Sequence, residues 1–75
     1  MPQIFGVVEK SYQKDGQQIT VFRIPAVSKT IAKQRAKINA RIKSLSGSSV
    51  SSVNQAGKSS IPGFKLFDVE ITSAP

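Results

Sequence analysis

Seventy-five residues allow one small domain, and the absence of both cysteine and histidine removes the usual transition-metal ligands, the commonest general base and the strongest neutral-pH nucleophile. Eleven lysines and arginines against four acids give a formal charge of +7. A chain this short buries only about 60% of the surface it exposes when unfolded, and without cysteine no disulfide supports so thin a core. Met1-Pro2-Gln3 opens without a basic, apolar leader, and no apolar run approaches the ~20 residues that span a bilayer, so neither a secretory signal nor a membrane partner is expected.

Charge placement is more telling than total charge. Glu9 and Asp15 lie near the front, and Asp68 and Glu70 near the end. Between Gly16 and Phe67 there is no acid, yet Arg23, Lys29, Lys33, Arg35, Lys37, Arg41, Lys43, Lys58 and Lys65 all fall there. Such a stretch repels itself unless a polyanion neutralises it.

In chain order, Ile4–Tyr12 is rich in β-branched and aromatic residues and predicts a strand. Gln13–Gln17 contains Asp15-Gly16 and predicts a hairpin tip of about five residues. Gln18–Ile24 alternates, with Ile19 and Val21 on one face and Thr20, Phe22 and Ile24 on the other, and Pro25 is expected to end it. Ser28 is the expected N-cap of a helix over Lys29–Leu45, stopped at Gly47. Ile31, Ile38, Ile42 and Leu45 form its predicted apolar stripe, with Ala32, Ala36 and Ala40 in a second row. Residues 44–62 read as a flexible Ser/Gly-rich loop, because Val50 and Val53 are three apart and break strand alternation, with a short strand around Ser49–Val53 as the alternative. Phe64–Ile71 predicts a last strand, and residues 72–75 a tail.

The expected fold is a single α+β domain over residues 1–75, ordered β-β-α-β. An antiparallel hairpin and a C-terminal strand would form three strands, with the amphipathic helix packed across one face. Its stripe would meet residues such as Val7, Val21, Phe67, Val69 and Ile71.

No residues for ordinary catalysis present themselves, and the chain is expected not to be an enzyme and to need no metal or cofactor. Asp68 and Glu70, two apart, read as the solvent face of a strand. Ser52–Ser59 (SVNQAGKS) approaches a phosphate-binding loop. It lacks the first glycine, and Pro62-Gly63 leaves no helix N-terminus to follow.

The helix carries the binding expectation. Lys29, Lys33, Lys37 and Arg41 are four apart and drift slowly around the face opposite the isoleucine stripe, with Lys43 beside the alanine row and Arg35 at the edge of the apolar stripe. No acid offsets them. With Arg23 and Lys58 added, these residues form the candidate site for phosphate contacts to DNA or RNA. Over Val21–Val53, the strand, proline, Ala/Lys-rich helix and glycine stop loosely resemble small modules of basic ribosomal proteins. They also resemble the short linker polypeptides of cyanobacterial light-harvesting antennae. Generic residues carry both likenesses, and no site residue is transferred from them. The leading expectation is a nucleic-acid-binding protein acting in the cytoplasm or a virion, of a kind a phage or virus would encode. The alternative is an assembly subunit whose basic helix and serine-rich segment dock on an acidic protein surface. The exposed edges of a small sheet suit a homo-oligomer.

Overall fold

The computed structural model describes residues 3–75; Met1 and Pro2, the start of the stretch read as lacking a leader, lie outside the described residues. The elements are β1 (Val7–Lys14), β2 (Gln17–Ala26), α1 (Lys29–Ile42), β3 (Ser49–Lys58) and β4 (Lys65–Ser73). All four strands join one sheet in the order β1-β2-β4-β3. Each neighbouring pair is antiparallel, so β2 and β3 are parallel to one another on either side of β4. The helix is the crossover between them. This is the expected small α+β domain with one strand more than the sequence suggested.

The hairpin is tighter than predicted. Lys14 pairs with Gln17, and Asp15 (φ 53°) and Gly16 (φ 76°) make a two-residue turn whose twist suits right-handed strands. Strand β2 runs through Pro25 to Ala26, which is tolerated because β1 stops pairing at Arg23 and no amide is needed there.

The extra strand, β3, falls within residues 44–62 and replaces most of the expected loop. Register shifts between Val50 and Ser52 and between Gln55 and Gly57 mark bulges. The first bulge inserts one residue, so Val50 and Val53 pair with Ile71 and Val69 and both face the core. The tail is also shorter than expected: Thr72 and Ser73 complete β4, and the Ala74 N–H donates to Ser46 O at 2.9 Å.

Ser28 caps the helix as expected, its Oγ accepting from the Ile31 N–H. The helix ends earlier than predicted. Ser44 (φ 57°) takes the left-handed position expected of Gly47; its N–H donates to Arg41 O and the Leu45 N–H to Ala40 O.

The helix face is a second correction. The alanine row, with Ala32, Ala36 and Ala40 fully covered or nearly so, lies on Phe22, Ile24, Ala26, Phe67, Val69 and Ile71. The isoleucine stripe rides on the shoulder, where Ile38 is 42% exposed. Methyl-sized side chains let the helix axis approach the sheet, and larger side chains at those positions would hold it off. Val7 and Val21, expected in this core, lie on the other face of the sheet, paired with Arg23 and Glu70. Replacing Ala36 with leucine is therefore expected to destabilise the domain by about 1–3 kcal/mol, read as a fall in the urea midpoint, despite leucine's good helix propensity. An unchanged midpoint would return the core to the isoleucines.

Asn39 is fully buried and ties the N-terminal segment to α1. The Phe5 N–H donates to Asn39 Oδ1 at 2.7 Å, and Asn39 Nδ2 donates to Phe5 O at 2.9 Å. The two bonds satisfy a buried amide that would otherwise cost about 1–3 kcal/mol. Gly6 (φ 72°) turns the chain from this segment into β1, passing close against the Arg23 carbonyl.

Candidate nucleic-acid interface

Because α1 lies over β2, β4 and β3, its two flanks differ. One flank faces β1 and holds Asn39 and Arg35. The other overhangs β3 and carries Lys33, Lys37 and Arg41, all exposed. Lys37 and Arg41 line a cleft of about 180 Å³ with Ser48, Ser49 and Val50 of the following turn and β3. Lys29 begins the same row one turn earlier. Among the described residues, ion pairs involve only Arg23, so no carboxylate neutralises this row.

Lys58 closes β3 directly opposite Lys65 of β4. By alternation from Phe67, Lys65 points to the helix side. Ala26 pairs with Lys65, and α1 starts three residues later, so this pair stands at the end of the sheet where the helix begins. Like charges directly opposite one another in an antiparallel pair are unfavourable, and an anion between them would relieve the repulsion. Lys65, Ser48 and Ser49 were not in the predicted site. Their membership depends on the β3 register, which the sequence hides.

Two predicted residues are placed elsewhere. Arg23 lies on the face of the sheet away from the helix, where Nε donates to Asp68 Oδ1 at 3.0 Å and NH2 to Oδ2 at 3.3 Å. NH1 also reaches Glu9 at 3.4 Å. The Asp68 carboxylate, with Glu9 beyond it, raises the guanidinium's pKa above its ordinary value and leaves little charge to offer a ligand. Lys43 sits on the β1 flank near Val8, Thr20 and Leu45, apart from the main row. Arg35, outside the predicted set, is structural: NH1 donates to Pro25 O at 2.6 Å, and the guanidinium stacks near the Phe5 and Phe64 rings.

The face away from the helix has the opposite character. Glu70 accepts from the Tyr12 hydroxyl at 3.1 Å and from Ser52 Oγ at 3.3 Å. That carboxylate raises the Tyr12 phenol above its usual pKa. Asp68 and Glu70 thus share a solvent-facing side of β4, as their spacing suggested, and each has a partner. Three of the four acids gather around this face, and the fourth, Asp15, is at the hairpin tip. The glycine-lysine-serine segment near the phosphate-loop pattern lies in β3 and the turn after it, with no helix following. Among the described residues no cluster of metal-binding side chains forms, and no helix is long and apolar enough to cross a membrane. Neither a protein-family model, a curated protein nor a solved structure matches this chain.

Proposed function

We propose that this chain is a non-enzymatic nucleic-acid-binding domain, making mainly phosphate contacts through Lys29, Lys33, Lys37 and Arg41, with Lys58 and Lys65 at the end of the sheet. The segregation of charge carries the reading. Among the described residues one side presents unpaired cations, hydroxyls and no carboxylate, and three of the four acids are collected on the opposite face, where Arg23, Tyr12 and Ser52 engage Asp68 and Glu70. A surface that served only to stay hydrated would mix both signs.

The test is titration of the protein into labelled oligonucleotides at two salt concentrations, followed by anisotropy. With four to six cations engaged on duplex DNA, log K is expected to fall with log salt with a slope of roughly −4 to −5. No binding at low salt would remove the proposal.

A second reading, an assembly subunit docking on an acidic protein, is favoured by apolar side chains left uncovered. Ile38 lies on the helix shoulder, and Val7, 58% exposed, lies on the edge strand β1. It predicts no oligonucleotide binding at any salt concentration.

A further inference from the structure

We infer that the nucleic acid bound by this face is double-stranded and is held along its phosphates with no base stacked on the protein. This assignment rests on the nucleic-acid reading above. Proteins that hold single strands combine a cationic groove with aromatic side chains on which successive bases stack. The chain has five aromatics, and none lies on the helix that carries the cationic row. Phe22 and Phe67 are in the core. Phe5 and Phe64 flank the Arg35 guanidinium, 5.1 and 5.9 Å from their ring centroids, and the Phe5 backbone is bonded to Asn39 on the β1 flank. Tyr12 is on the opposite face of the sheet, bonded to Glu70 and with Lys10 Nζ 5.7 Å from its ring centroid.

That opposite face is the surface on which a sheet would stack unpaired bases. Here Glu9, Asp68 and Glu70 outnumber Arg23 and Lys10, so the face offers an approaching phosphate backbone no net attraction. The helix row from Lys29 to Arg41 therefore meets phosphates alone, and Phe64, the neighbour of Lys65, has its ring near the Arg35 guanidinium. A duplex presents one charge per roughly 1.7 Å of axis, about twice the density of either strand by itself. The row from Lys29 to Arg41 spans about 18 Å along a rigid helix, which matches roughly five base-pair rises of 3.4 Å. The row drifts roughly 40° around the helix per step, about 120° in all, and is fixed in place by the rigid helix. A stiff duplex already holds its phosphates on a winding path of this kind, whereas a flexible strand must lose freedom to follow it.

The experiment compares a labelled DNA duplex with each of its strands alone, and monitors tyrosine emission in parallel. Tyr12 is the sole tyrosine and there is no tryptophan, so intrinsic emission reports the open face of the sheet. The duplex is expected to bind about tenfold more tightly, with a salt slope near −4.5 against about −3.5 for a strand if five cations engage. Tyr12 emission should stay unchanged, and Tyr12→Ala should bind as the parent does. Equal or tighter binding of the single strands, or quenching of Tyr12 on binding them, would overturn the duplex assignment and leave the nucleic-acid reading standing. Failure of all three oligonucleotides to bind at low salt would remove both.

Discussion

Reversing Lys33, Lys37 and Arg41 together to glutamate is expected to weaken oligonucleotide binding on the order of a hundredfold or more at low salt, with the circular dichroism spectrum unchanged. The three side chains are exposed, and none is in an ion pair among the described residues, so the fold does not depend on their charge. Lys33→Glu gives Lys29 an opposite charge four residues on, but the three new carboxylates repel one another and Arg41→Glu opposes the helix dipole, so the thermal midpoint should hold or fall slightly. Face is separable from net charge by single substitutions. Lys37→Glu and Lys14→Glu alter net charge equally, but Lys14 lies at the hairpin end of β1, away from the row. Lys37→Glu is expected to cost the greater share of binding. If the two weaken it equally, general electrostatic attraction replaces a defined interface. If the triple variant loses its helical signal, the face is structural.

Gly6→Ala is expected to be the most damaging single substitution, lowering stability by roughly 3 kcal/mol or more. A Cβ at this position would lie 2.0 Å from the Arg23 carbonyl oxygen and 3.0 Å from its carbon, both backbone atoms of a central strand. Neither side of that contact has a flexible group to yield. Gly6 also has φ 72°, where an L-residue is disfavoured by about 1–2 kcal/mol. Relieving the clash would lift the N-terminal segment from α1 and break both bonds to Asn39. Gly16→Ala is the control. It has φ 76°, but nothing lies within 4 Å of the added atom. Its cost should be limited to about 1–2 kcal/mol of backbone strain, and the difference between the two urea midpoints measures the close approach itself. Equal midpoints would show that the segment adjusts freely.

The hairpin, the helix and the last strand were legible because each obeys a local rule: Asp-Gly at a tight turn, Ser28 at a cap, alternation in Phe67, Val69 and Ile71. The fourth strand was legible only as a short alternative around Ser49–Val53, and its full extent was hidden for an equally local reason. In β3 a bulge puts Val50 and Val53 on one face at a spacing that alternation forbids, and serines provide no propensity to compensate. The helix face was misread because hydrophobicity ranks isoleucine above alanine, whereas a close helix-sheet contact selects for small size. The cationic row was visible from spacing alone. The engagement of Arg23 by Asp68 and the pairing of Lys58 with Lys65 depend on strand order, which no local pattern encodes.

The sheet order has a consequence for synthesis. β4, the last element, lies between β2 and β3 and supplies pairing to both. Until residues through Ser73 have left the ribosome, β2 and β3 lack the strand that joins them, and the helix has no complete sheet to lie on. Folding is deferred until β4 has emerged, and truncations that remove β4 should yield unfolded protein rather than a smaller domain.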